Sequence, residues 1–208
     1  EIMPSLVGSE MCIRDSHTPV QDRLLWFVMR DLKRCNAKQP AYKLFKDLGM
    51  EVFTPMVWKL SVKHGRRCRE EVPFIQDLLF VNGTRLAVDP IVEKYNTVQY
   101  RYLRGGYKIP MTVRESDMQR FIHAVQSSEN PCYYTPEEIS SDMIGRKVRI
   151  VGGPLDGYEG NLQKIQGAHV KRLFVELPNL LAAAVEVQPE YIPVSYTHLR
   201  AHETRHDL

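Results

Sequence analysis

Near the C-terminal end of the sequence, His202-Glu203-Thr204-Arg205-His206 places two histidines four residues apart with a glutamate beside the first. On a helix that spacing puts both imidazoles on one face, where they can share a zinc ion while the glutamate activates a bound water. His198 falls one turn earlier on the same face. Only two residues follow His206, so a metallohydrolase reading asks the terminal run to build its own water-excluding cleft. Cys68 stands among Arg66, Arg67 and Arg69. Cations beside a thiol favour the thiolate, but a nucleophile also needs a base, and no histidine partner can be identified. Cys68 therefore reads as a bystander in a basic loop. Two basic clusters, Lys33-Arg34 with Lys38 and the run from Lys63 through Arg66 and Arg67 to Arg69, fit either contacts to phosphates or a solvated loop.

Both ends of the chain stand apart from the rest. Residues 1–16 and 195–208 resemble translated sequencing-adapter sequence and are set aside as foreign extensions, which removes the histidine motif with them. Taking away Glu1, Glu10, Arg14 and Asp15 removes a net charge of −2 and taking away 195–208 removes none, so the formal +3 of the chain becomes +5 for residues 17–194. That balance is too mild to hold a nucleic acid by net charge, and any such role needs local clustering. The chain has 208 residues, 43% apolar and 25% charged, which excludes intrinsic disorder, a collagen-like fibre and a dense disulfide scaffold. Its longest apolar stretches, Leu24 to Met29 and Leu180 to Val185, fall well short of the roughly 18 residues that cross a bilayer. A soluble protein with no membrane partner is expected. Within 17–194, Cys35, Cys68 and Cys132 are odd in number and lack a C-x-x-C pair, which suits a reducing cytoplasm.

The elements that must position these residues can be read from pattern. Leu24 to Met29 is a short apolar and aromatic run, a strand buried on both faces. Ala41, Leu44, Phe45 and Leu48 recur at helical spacing and stop at Gly49. Glu51 to Thr54 and Met56 to Val62, either side of Pro55, read as strand, loop, strand, followed by the basic run. Leu78 to Val81 is the next apolar block. Asp89-Pro90 predicts a helix from Pro90 to Tyr95 with Asp89 as its cap. Val98 to Leu103 alternates as a strand, and Ser116 to Gln119 predicts a capping box that opens a helix bearing Met118, Phe121, Ile122 and Val125 on one face. Mixed order of this kind argues an α+β sandwich with a mainly antiparallel sheet. Residues 127–142 are rich in proline, serine and acid and predict a linker without one fixed conformation. Beyond it, Lys147 to Val151, Gly160 to Ile165 and Leu173 to Leu177 are short strands between glycine turns, expected as a small β-barrel.

These residues resemble the NusG family of transcription factors, an N-terminal NGN domain followed by a KOW domain. The run Gly145-Arg-Lys-Val-Arg-Ile-Val-Gly-Gly-Pro-Leu-Asp-Gly-Tyr-Glu-Gly160 is similar to the KOW signature, with Gly152, Gly153, Gly157 and Gly160 expected to supply tight turns. Trp26-Phe27-Val28 resembles the first NGN strand, and Tyr102 to Gly106 with Ile109-Pro110 resembles its C-terminal half. Val72 to Val81 and Val170 to Ile192 look closest to UpxY-type paralogues, antiterminators of capsular polysaccharide operons. The resemblance implies an NGN α/β sandwich over 22–126, a linker over 127–142 and an SH3-like KOW β-barrel over 143–193.

It also implies a function without catalysis, cofactor or metal, in the cytoplasm. The NGN domain would bind the clamp helices of RNA polymerase and suppress pausing or termination, and the KOW domain would recruit a second partner. Phe27, Phe74, Ile75 and Leu78 match the apolar pocket that grips the clamp helices, and each also fits a plain core residue. The sequence departs from the general factor in having Gln76-Asp77 for Pro-Gly and Leu78 for an aromatic. For KOW the family partners are ribosomal protein S10 or Rho. The phenylalanine of the partner loop is absent here, which puts Rho in doubt and leaves Leu180 and Leu181 as anchors or as core. The basic clusters Lys33, Arg34, Lys63, Arg66, Arg67 and Arg69 would touch non-template DNA or nascent RNA. The alternative is a KOW-containing RNA-binding protein of ribosome or ribonucleoprotein assembly; the aromatic strand motif of an RNP-type recognition domain is not found in the sequence.

Overall fold

A computed structural model describes residues 23–32, 39–63, 65–164 and 170–193. The terminal runs with His198, His202 and His206, together with Lys33, Arg34, Lys38 and Cys35, lie outside the described residues.

The first sheet is built around β1 (Leu25–Asp31), which pairs antiparallel with β5 (Leu79–Gly83) on one side and with β6 (Val98–Tyr100) and β7 (Thr112–Val113) on the other; β2 (Glu51–Phe53) adds to the far edge of β5. Side chains alternate across a strand, and here the alternation sorts the core into two layers. Phe27, Met29, Leu79 and Val81 pack with Ala41, Leu44 and Phe45 of α1 (Ala41–Asp47) and Val88 of α2 (Arg85–Lys94). Trp26, Val28, Leu78 and Phe80 pack with Met118, Phe121 and Ala124 of α3 (Glu115–Gln126). α1 opens where the buried Asp31 carboxylate accepts from the Ala41 N–H at 2.6 Å.

Three expected boundaries differ. α2 starts five residues before Pro90, because Thr84 caps it by accepting from the Ala87 N–H at 3.3 Å. Asp89 is not a cap: its carboxylate accepts from Arg85 Nε at 3.0 Å and from the Tyr100 hydroxyl at 2.7 Å. Burial and that carboxylate push the Tyr100 phenol far above its ordinary range. α3 begins at Glu115 without a side-chain cap, and Gln119 pairs with Glu115 one turn back at 2.8 Å instead of closing a box with Ser116. The basic run after β3 (Met56–Lys63) is itself a strand, β4 (Arg66–Pro73), and the two form a separate two-stranded sheet turned at Gly65, which sits at φ 75°.

Residues 127–142 hold one conformation over their middle, contrary to the composition-based expectation. β8 (Cys132–Tyr134) pairs with β12 (Leu181–Val187) at the edge of a second antiparallel sheet, ordered β8-β12-β11-β10-β9 with β11 (Lys171–Leu177), β10 (Glu159–Gln163) and β9 (Ile144–Arg149). The proline- and acid-rich surroundings mask the short β-prone run Cys132-Tyr133-Tyr134, which pairs with β12 and packs its rings on Phe74 and Phe174.

The layer that holds Trp26 and Phe121 continues through α3 into this second sheet, taking in Val148, Ile150, Leu173, Val175 and Val185. Polar contacts accompany it. The Tyr158 hydroxyl donates to the Arg120 carbonyl at 3.1 Å and lies 3.0 Å from His123 Nδ1, while the Arg120 guanidinium covers the Tyr158 ring at 5.0 Å. Burial raises the Tyr158 phenol above its ordinary value.

Candidate binding surface

Of the four residues expected to grip the clamp helices, the structure brings only two toward a surface. Phe27 is 1% exposed and faces α1, and Leu78 is 1% exposed beneath α3. Both are core, because they alternate on and beside central strands of the first sheet. Phe74 and Ile75 are half-buried just after β4, and the Phe74 ring packs 5.6 Å from that of Tyr133 in β8. Burial, with the charge of Glu71, pushes the Tyr133 phenol up to about 12. The departures at Gln76-Asp77 have a structural counterpart: the Asp77 carboxylate accepts from Arg101 at 3.2 Å and from Arg30 Nε at 3.3 Å. Those pairs pin the turn to β1 and to the residue after β6, a role invisible in local pattern.

Leu180 and Leu181 are buried at the start of the return strand of the β11–β12 hairpin. Core packing therefore takes them, and no exposed apolar loop is left at that position. Gly152, Gly153 and Gly157 sit at φ 88°, 70° and 77°, as turn glycines do. Gly160 is different. It lies inside β10, where a Cβ would meet the Phe174 carbonyl of β11, so close strand packing is what calls for glycine there.

Arg66, Arg67 and Arg69 lie along β4, all exposed, and Lys63 ends β3 opposite Arg66. Across the hairpin Trp58 pairs with Glu71, Leu60 with Arg69 and Val62 with Arg67, so these six residues share one face. Pattern reading missed this face, although strict alternation in Trp58-Lys-Leu-Ser-Val62 was a usable signal. Trp58 is 59% exposed, Leu60 74% and Val62 70%. An apolar row beside an arginine row, both in solvent, is an arrangement a folding core does not need. The Arg69 guanidinium lies 4.7 Å from the Trp58 ring centre, a cation–π contact that holds the indole in place. Cys68 points to the opposite face and is exposed, and its Sγ–H reaches the Arg66 carbonyl at 3.8 Å. Among the described residues no group of three or more His, Cys, Asp or Glu is placed to hold a metal ion, and no helix is long and apolar enough to cross a membrane.

No curated protein matches the chain. Residues 24–122, which span the first sheet from β1 into α3, match the family described as transcription termination factor nusG.

Proposed function

We propose that this chain is a non-catalytic factor of transcription elongation and antitermination that binds RNA polymerase through residues 22–126. The observation that carries the reading is the family match over 24–122 on a mixed α/β fold with mainly antiparallel sheets. Phe74 and Ile75 are the anchors for the polymerase clamp helices, as half-buried apolar side chains beside a solvent-exposed hairpin. Phe74 already has an aromatic partner in Tyr133, so clamp helices and Tyr133 compete for one ring. The hairpin arginines, with Lys63 and the cluster at Lys33 and Arg34, contact nucleic acid displaced near the polymerase. Strands β9 to β12 of the second sheet form a KOW module over 143–193 that recruits a further partner such as ribosomal protein S10. The nearest subfamily is the UpxY type, serving capsular polysaccharide operons in the cytoplasm.

The test is a pull-down of bacterial RNA polymerase by the full chain, with the isolated clamp-helix fragment as a second bait. Both are expected to bind, and Phe74→Ala or Ile75→Ala is expected to weaken binding about tenfold or more in a folded protein. Tyr133→Ala, which frees Phe74, is expected to tighten it. No binding to either bait would overturn the reading, and unchanged binding by both alanine variants would remove the anchor assignment.

A further inference from the structure

The outer half of the β3–β4 hairpin and the cleft at its base are complementary to each other. The cleft, about 580 Å³, is bounded by the base halves of β3 and β4 on one side and by the end of α3 with the segment 129–133 on the other. Val57, Trp58, Val125 and Tyr133 give it apolar walls, and Glu71 and Glu129 set two carboxylates against the one cation of Arg69. Nearer the turn, Leu60 and Val62 are 74% and 70% exposed, and Arg67 stands exposed opposite Val62. No ion pair among the described residues takes up Arg67, Glu71 or Glu129. The outer half of this face is thus apolar and cationic, and the cleft is apolar with a net negative charge. Trp58 and Val62 are four residues apart on one strand, roughly 13 Å, so the hairpin cannot lay its own tip against its own base. A second copy can.

We infer that two copies of the chain clasp through this hairpin, each laying Leu60, Val62 and Arg67 along the face and into the cleft of the other. A two-fold contact uses the same patch on both partners, so each end of the patch must suit the opposite end. This one does. With the hairpins face to face and antiparallel about an axis at the Leu60–Arg69 pair, Val62 and Arg67 of one copy meet Trp58 and Glu71 of the other, and the reverse. The apolar row is then covered from both sides, and each Arg67 finds a carboxylate. Arg69 does not obstruct the axis, because its guanidinium is turned toward the base, 4.7 Å from the Trp58 ring centre, and Leu60 faces Leu60. Tryptophan, tyrosine and arginine beside a closed apolar row are the residues that carry protein interfaces. Pairing covers Arg67 and so competes with any contact of that arginine to nucleic acid. The inference goes beyond the polymerase reading and does not depend on it.

The experiment is sedimentation equilibrium of the full chain over a range of concentrations, with circular dichroism to check that each variant is folded. A contact of one hairpin face and cleft per copy is small for a specific interface, so a dissociation constant on the order of 10 μM is expected. In more dilute solution the face is open. Leu60→Arg, which sets two cations against each other at the axis, should weaken association about tenfold or more. Arg67→Glu and Glu71→Arg should each do the same alone, because each places like charges at both ends of the clasp. An equimolar mixture of those two variants should associate nearly as well as the original chain, since every contact between positions 67 and 71 then joins opposite charges. A merely structural role for either residue would not produce that recovery. A chain still monomeric at about ten times the expected constant would overturn the inference. So would a dimer unaffected by Leu60→Arg, which would place the contact elsewhere, and so would a mixture that fails to recover. Polymerase is absent from the measurement, so its outcome is separate from that of the pull-down.

Discussion

Two antiparallel hairpins of nearly equal length do opposite things in this molecule. β3–β4 runs through eight paired positions and β11–β12 through seven. In the second, Leu173, Val175, Leu177, Leu181, Ala183 and Val185 are buried in the core shared with α3, and Phe174, Ala182 and Ala184 are buried on the other face against Cys132, Tyr134, Ile139 and Met143. In the first, Trp58, Leu60 and Val62 stand in solvent beside arginines. A two-stranded hairpin by itself is marginal in water, and this one is held at its base, where the Phe74 N–H donates to the Pro55 carbonyl at 2.8 Å and Val57 and Phe74 join the core. The same local structure thus serves stability in one place and presents a surface in the other.

Substitutions can break or sharpen that contrast. The largest effect is expected at the buried hairpin, where Ala183→Glu places an unpaired charge in a fully buried site and should cost about 4 kcal/mol; urea unfolding measures it. High pH should act next. The Tyr133 pKa is raised from 10.0 to about 12, so its neutral form favours the folded state. Its contribution is whole below pH 10 and is lost as pH rises toward 12, a fall of about 2 to 3 kcal/mol. Tyr133→Phe should remove that part of the pH dependence; identical pH profiles for the two proteins would contradict the assignment.

Gly160→Ala should destabilise by about 2 kcal/mol, since the Cβ would press on a backbone carbonyl of β11 that cannot swing away. Tyr158→Phe deletes the hydroxyl that joins Arg120 and His123 and should cost about 1 kcal/mol, read from the thermal midpoint. At the exposed hairpin, Leu60→Ser should change stability by no more than about 0.5 kcal/mol. A larger loss there would mean that the hairpin face is packed in solution, and the contrast between the two hairpins would fail.

Much of the first sheet was legible in the residues. The apolar run of β1, the helical spacing of Ala41, Leu44 and Phe45, and the face of α3 bearing Met118 and Phe121 all follow from period and punctuation, and the structure has them. Capping was less so, because Asp89 and Ser116 carry cap-like chemistry that other partners or positions overrule. The surface was the least legible part. Phe27, Leu78, Leu180 and Leu181 are apolar residues equally suited to a core or an anchor, and burial distinguishes them only once neighbouring elements are in place.

The sequence alone determined which segments pair their apolar side chains on one face, because periods of two and of about 3.6 are local properties of the chain. It also determined the basic character of β4 and the positive-φ turns at Gly152, Gly153 and Gly157. Tertiary structure decided which of those faces is covered. That α3 lies between two sheets, that β8 joins the second sheet, that Tyr133 meets Phe74, and that Trp58 stands largely in solvent beside Arg69 depend on residues distant in the chain. Burial is a sum over such contacts, and no local pattern carries it.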